Sequence, residues 1–395
     1  MNNDPIVIVS AVRTPLGGFQ GDFASLSAPQ LGGVAIKAAL ERSGIDTNAV
    51  GEVTLGCVLP AGVGQAPARQ AAIHAGLPLS VQCSTVSKVC GSGMKAVMNA
   101  HDAILAGSND VIVAGGMESM SNAPYLLPKA RGGFRMGHGQ VLDHMFLDGL
   151  EDAYFDRGRL MGTFAEDCAS AYQFTRGDQD AYAIASTERA QQAASDGSFD
   201  WELAPVTIAT KTGERQIVQD EQPPKARIDK LPSLKPAFRK DGTITAASSS
   251  SISDGAAALV MMRRSAAAGL GATPIAVVVG HATYAAEPRL FPTAPIGAVK
   301  KLLAQSGWST AHVDLWEVNE AFAVVPMACA KDLALDLSRV NIHGGSCALG
   351  HPIGASGARI LVTLIGALRK TGGKRGIASL CIGGGEATAV AIQMC

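Results

Sequence analysis

One order of elements occurs twice in this chain, and that repetition restricts the fold more than any other feature of the sequence. The first copy opens with Cys90-Gly-Ser-Gly93 and continues with Met94, Val97, Met98, Ile104 and Leu105 at helical spacing. It then gives the apolar run Val111-Ile-Val113 and Gly115-Gly-Met-Glu118. The second opens with Gly354-Ala-Ser-Gly357, carries Ile360-Leu-Val and Leu364 in a helical stretch, and reaches Ile377-Ala-Ser-Leu380 and Gly383-Gly-Gly-Glu386. A glycine turn that opens a helix, followed by a short apolar strand ending in glycines, is the pattern of helices layered on a buried sheet. Two copies predict an α/β core of two duplicated halves related by a pseudo-twofold axis.

The halves are not contiguous. Residues 120–245 exchange apolar strands for Met, Gly and charge, and Pro223, Pro224, Pro232 and Pro236 break regularity, which predicts an inserted loop domain over the core. Within it, Thr175-Arg-Gly-Asp178 has the form of a capping box ahead of a helical stretch from Ala181 to Ala194. Ser248 to Ser251 and Ser253-Asp-Gly255 read as the polar turn that returns the chain to the core. The resulting division is 1–119 with 246–272 as the N-terminal half, 120–245 as the insertion and 273–395 as the C-terminal half.

At 395 residues the chain exceeds the size at which one hydrophobic core stops growing. No apolar run approaches the ~18 residues needed to cross a bilayer, so no membrane partner is expected. Ile6 to Val9 is too short for a secretory signal and reads as the first strand, and the C-terminal Ile392-Gln-Met-Cys395 matches no lipidation or peroxisomal motif. The expectation is a cytoplasmic protein. A net charge of -1 provides no global field for nucleic acid. Eight dispersed cysteines without a Cys-x-x-Cys pair read as free thiols and not as a structural zinc site.

Four residues stand where chemistry is feasible. Cys90 opens a predicted helix, where free N–H groups and the helix dipole favour a thiolate and a lowered pKa; an isolated free cysteine is more often plain core. His351, before Pro352, is held out of helical geometry and presented at a turn beside the repeat partner of the Cys90 turn. It would face Cys90 across the pseudo-twofold as a general base. Cys381 sits at a strand tip beside Gly383-Gly-Gly385. Asn319, in Trp316-Glu-Val-Asn-Glu-Ala-Phe-Ala323, is at a strand-to-helix transition and reads either as a holder of water or carbonyl oxygen or as an N-cap. Zinc on the two cysteines and the histidine lacks a fourth ligand in the nearby sequence, so no metal is expected there.

Val-Cys-Gly-Ser-Gly, Asn-Glu-Ala-Phe-Ala, Gly-His-Pro-Ile-Gly and Cys-Ile-Gly-Gly-Gly together, in this order, resemble the thiolase family, from Ala11-Val-Arg-Thr-Pro15 to Cys381-Ile-Gly-Gly-Gly385. The resemblance implies a layered αβαβα core with mixed sheets and a homotetramer built from dimers. It also implies ping-pong condensation of two acetyl-CoA to acetoacetyl-CoA and coenzyme A, and the reverse thiolysis. In that scheme Cys90 is acylated with His351 as base, and Cys381 removes an α-proton. His351 and a water on Asn319 hold the enolate, while the N–H groups of Cys90 and Gly383 hold the tetrahedral oxyanion.

Met161 and Ser250 match pantetheine-contacting positions, Leu150 and Phe322 lie near the acyl end, and Lys225 and Arg227 read as phosphate partners or as ordinary solvated charges. Two departures bear on coenzyme A binding: Leu160 stands where many relatives have His, and Ser248-Ser-Ser250 replaces Asn-Ala-Ser. Coenzyme A is substrate and product, and no resident cofactor is expected. Phe291-Pro292 resembles a loop of potassium-binding mitochondrial acetoacetyl-CoA thiolases that accept a 2-methyl branch; equal rates in sodium and potassium salts would exclude that ion here. The rival readings are a degradative 3-ketoacyl-CoA thiolase of broader chain length, a 3-ketoacyl-ACP synthase, which commonly has two histidines where Asn319 and Cys381 stand, and a non-catalytic acyl-CoA-binding protein.

Overall fold

Apolar runs that must lose both faces to solvent become central strands, and every residue of β1 (Ile6–Arg13) is buried in the computed structural model, which describes residues 4–395. Met1 to Asn3, the start of the stretch read for a signal, lie outside the described residues. In the N-terminal half β1 is followed by β2 (Gly17–Gly18), α1 (Ala28–Ser43), β3 (Glu52–Gly56), α2 (Pro67–His74) and β4 (Gln82–Val86), then α3 (Ser92–Ala106) and β5 (Val111–Ser119). The inserted stretch holds two hairpins, β6 (Tyr125–Leu126) with β7 (Leu142–Asp143) and β8 (Val206–Thr210) with β9 (Gly213–Ile217), and between them α4 (Met161–Tyr172) and α5 (Arg176–Ser195). The chain returns through β10 (Ser253–Arg263) and α6 (Arg264–Gly269). The C-terminal half is β11 (Ala276–Ala285), α7 (Ala294–Ser306), β12 (Leu315–Val318), α8 (Val324–Leu333), α9 (Ser346–Leu349), α10 (Ser356–Thr371), β13 (Arg375–Ile382) and β14 (Glu386–Met394).

The strands run in the order β12-β13-β14-β11-β1-β10-β5-β3-β4, with β2 added on β10. Among the described residues the two halves of this mixed sheet meet only where β1 and β11 pair, at Val7 with Val277 and Ile8 with Ala276. Elsewhere they separate, and α3 and α10 lie between them, packed on strands of both halves and on each other. α1 and α2 cover the outer face of the N-terminal half, and α7 and α8 that of the C-terminal half, completing an αβαβα order. β1 divides the core by alternation: Val7, Val9 and Val12 join the cluster under α1, while Ile6, Ile8 and Ala11 join the cluster around α3 and α10. An irregularity in the pairing with β10 between Ile8 and Ser10 shifts the phase, which is why Ala11 and not Ser10 follows Ile8 on the inner face.

The repeated elements fold as α3–β5 and α10–β13, with one difference from the sequence expectation. β13 does end at its glycines, and Gly384 and Gly385, at φ of 94° and 86°, turn the chain into β14. β5 instead runs straight through Gly115 and Gly116 to Ser119. A Cβ on Gly116 would lie 2.0 Å from the carbonyl oxygen of Gly354, so that glycine serves close approach and not a turn.

No strand of the inserted stretch joins the large sheet, but the stretch is packed on both halves. Val206, Ile208 and Ile217 join the N-terminal core, and Phe164 and Ala165 the C-terminal one. α5 starts at Arg176 behind the Thr175–Asp178 capping box and packs on α9. Among the described residues no helix is long and apolar enough to cross a membrane.

Candidate active site

The Cys90 loop is held by local bonds before α3 begins. Val89 has φ of 44°, an unusual conformation for a β-branched residue. It is clamped because Lys88 N–H donates to Ser92 Oγ (2.8 Å) and Ser92 Oγ–H donates to the Val89 carbonyl (2.7 Å). The glycine loop after β13 lies against this turn: a Cβ on Gly91 would meet Ile382 Cδ1 at 2.3 Å. The N–H groups of Gly383 and of Cys90 itself both address the Cys90 sulfur, yet burial outweighs them and pushes the thiol up to about 11. The expected lowering of this pKa is therefore reversed, because the half-buried sulfur loses more hydration than the helix start returns. A salt bridge between Lys88 and Glu386 ties the same loop to β14.

His351 lies buried between α9 and α10. The turn that carries it packs on the first turn of α3: a Cβ on Gly93 would sit 2.9 Å from the Gly354 oxygen, and one on Gly357 2.4 Å from Met94 N. Ile353 and Cys90 share one apolar cluster. Ser356 Oγ donates its single hydrogen to the Pro352 carbonyl (3.0 Å), so at 2.6 Å from His351 Nδ1 it accepts, which assigns the imidazole proton to Nδ1. Nε2, buried and without a partner, is left as a bare lone pair. Burial, and then the Arg359 charge, hold the imidazolium form down to about 3, so this histidine is neutral at physiological pH.

Cys381, the penultimate residue of β13, is buried and its thiol is pushed well above the ordinary value by burial and next by neighbouring Cys90. Asn319 follows β12 directly, and its N–H bonds the Ser379 carbonyl at 3.0 Å, which fixes it beside β13. It is no N-cap: α8 starts at Val324 behind Ala323. Its amide is oriented by a chain of donors. Arg359 Nη2 donates to Ser346 Oγ (2.9 Å), and Ser346 donates to Asn319 Oδ1 (2.6 Å). Asn319 Nδ2 is then the free end, buried and unpartnered like His351 Nε2. Nothing in the motifs assigned a role to Ser92, Ser346, Ser356 or Arg359, although Ser92 and Ser356 sit inside the two glycine turns.

Leu150 packs in the apolar cluster that touches Cys90, with Val58, Leu59, Met145 and Ile353. The Met161 sulfur lies 3.4 Å from the Cβ position of Gly383, and Leu160 stands just ahead of it as the N-cap of α4, without a side-chain cap bond. Ser250 N–H bonds the Ala321 carbonyl (2.9 Å), and Ser249 bridges Phe322, whose ring meets Phe238 edge to face at 5.7 Å. This draws the serine turn up to the Asn319 loop. Lys225 and Arg227 are paired at the surface, with Glu221 (2.5 Å) and Asp229 (3.2 Å), and among the described residues none of their side-chain hydrogen bonds reaches Cys90, His351, Cys381 or Asn319. Phe291 is buried against Phe164 and Phe322.

A protonated thiol faced by two backbone N–H groups, a second thiol, a bare imidazole nitrogen and a free amide N–H together suit acyl transfer through sulfur followed by proton removal from carbon. That chemistry on two similar α/β halves defines a class, and the chain belongs to the thiolase family: residues 6–265 match its N-terminal domain and residues 272–394 its C-terminal domain. Acetyl-CoA acetyltransferase 1 of Arabidopsis thaliana is 50% identical over 98% of this chain and 94% of its own length. The acetyl-CoA acetyltransferase of Cupriavidus necator is 47% identical over 98% and 99%. A crystal structure of a thiolase from Ascaris suum in complex with coenzyme A superposes with a TM-score of 0.93 at 44% identity, covering 99% of this chain and 100% of that one.

Proposed function

We propose that this protein is an acetyl-CoA C-acetyltransferase, condensing two acetyl-CoA to acetoacetyl-CoA and coenzyme A and running the reverse thiolysis. The observation that carries the reading is the convergence of Cys90, Cys381 and the Gly383 N–H at one turn, with His351 on a turn packed against the start of α3 and Asn319 bonded to β13, each keeping one buried, unpartnered nitrogen.

His351 Nε2 takes the Cys90 proton as the sulfur attacks the thioester carbonyl, and the oxyanion accepts from the N–H groups of Cys90 and Gly383. Coenzyme A leaves with the Cys381 proton, which pairs a Cys381 thiolate with a His351 imidazolium. The elevated pKa of Cys381 makes that thiolate a strong base, suited to the α-carbon of a second acetyl-CoA. The enolate oxygen accepts from His351 Nε2–H and from a water on Asn319 Nδ2. The carbanion attacks the acetyl group on Cys90, the adduct expels the Cys90 thiolate, and His351 returns its proton. Each thiol thus regains its hydrogen.

Met161, Leu150, Phe322 and Ser250 line the acyl and pantetheine path in this reading, and Leu160 replaces a polar contact there with an apolar one. It includes no resident cofactor or catalytic metal and a cytoplasmic location. It also includes a homotetramer, for which the half-exposed strand β4 at the free edge of the sheet offers a pairing surface. The decisive assay follows loss of acetoacetyl-CoA enolate absorbance with coenzyme A, in parallel with a longer 3-ketoacyl-CoA. Rapid cleavage of the four-carbon substrate, lost by at least about a thousandfold in Cys90→Ala, is expected; preference for the longer chain would make this a degradative thiolase.

A further inference from the structure

One cluster of ligating side chains takes no part in the chemistry above. His101 and Asp102 are consecutive residues in the last two turns of α3, and His281 lies in β11. His101 Nδ1 is 3.2 Å from Asp102 Oδ1, and His281 Nε2 is 2.9 Å from the same oxygen. One ligand atom from each residue lies within 4.8 Å of the others, and the two rings meet edge to face at 5.1 Å.

A tetrahedral ion bound at roughly 2.0–2.1 Å holds its ligand atoms roughly 3.3 Å apart. Both nitrogen-to-oxygen separations are already within a few tenths of an ångström of that edge, so small rotations would bring three ligands onto one ion. Charge points the same way: among the described residues the two imidazoles are the only ion-pair partners of Asp102. The histidine side chains are 13% and 17% exposed while Asp102 is 55% exposed, so packing fixes two ligands and leaves the third open to solvent and to waters that complete the shell.

We infer that His101, Asp102 and His281 form a site for a borderline divalent cation of the zinc type. Two imidazoles and one carboxylate suit such an ion better than calcium or magnesium, which prefer all-oxygen shells. Bound there, the ion links α3, whose other end follows the Cys90 turn, to a strand of the C-terminal half. It supplies cross-linking and no chemistry.

The test uses the full-length protein, stripped with a chelator and dialysed against zinc, with metal content measured by mass spectrometry and melting temperature followed alongside. One equivalent of zinc and a raised melting temperature are expected. Affinity should fall roughly tenfold or more in His281→Gln and in Asp102→Asn, each with wild-type thiolysis showing that it is folded. Cobalt in place of zinc should give visible d–d bands without a thiolate charge-transfer band. No stoichiometric uptake, uptake that both variants retain, or a thiolate band placing the ion on cysteine would overturn the proposal.

Discussion

The orientation of the two unpartnered nitrogens, His351 Nε2 and Asn319 Nδ2, rests on serines with one hydrogen each. Ser356 leaves His351 Nε2 bare, and Ser346, which accepts from Arg359 and so keeps its one hydrogen, donates it to Asn319 Oδ1 and turns the amide N–H outward. Ser346→Ala is expected to let that amide flip. The condensation rate should fall roughly tenfold, equivalent to about 1.4 kcal/mol, with KM little changed, acylation of Cys90 intact and Ser346→Thr restoring the rate. Equal slowing of acylation would assign Ser346 a merely structural role. Cys90 gives a second expectation. Its thiol is raised to about 11, so the thiolate fraction grows with pH across the neutral and mildly alkaline range. Alkylation of the free enzyme by iodoacetamide should therefore rise about tenfold per pH unit without levelling near the ordinary thiol value; a plateau below about pH 9 would contradict the burial argument.

At the scale of elements, the two glutamates of the repeat have parted in role. Glu118, near the end of β5, is buried and accepts from the N–H groups of Val58 (2.9 Å), Leu59 (3.2 Å) and Gly354 (2.9 Å). It thereby fixes β5, the loop after β3 and the turn carrying His351. Glu386 begins β14 and pairs with Lys88. The repeat conserves where an acidic residue falls and not what it bonds. Glu118→Ala leaves three buried N–H donors without a partner, at about 1–3 kcal/mol each, so a loss of roughly 3 kcal/mol or more is expected in the urea midpoint. Glu386→Ala, removing one half-exposed ion pair, should cost about 1 kcal/mol or less.

Across the whole molecule, the site exists because the starts of α3 and α10 touch back to back, without side chains between them. Gly357→Ala would place a Cβ 2.4 Å from Met94 N, and backbone must move to relieve it. A loss of about 1–3 kcal/mol is expected, together with a fall in kcat/KM of about tenfold to a hundredfold as His351 shifts relative to Cys90. Loss of stability with full activity would show that the contact does not set the site.

Spacing and punctuation alone were enough to read the repeated helix–strand order and the capping box at Thr175, because helical period, strand runs and glycine turns are local properties of the chain. The same reasoning misjudged what depends on neighbours far away in sequence. It took the Gly115-Gly116 pair for a strand end, where Gly354 in fact approaches, and it expected a helix start to lower the Cys90 pKa, where burial raises it. Ser346 and Arg359 lie outside every motif, Ser356 and Glu118 lie within the repeat but bond partners it does not reveal, and His281 meets Asp102 from 179 residues away. Proton position, amide orientation and ligand spacing are set by distances between such residues, and only the packing of one half on the other determines those distances.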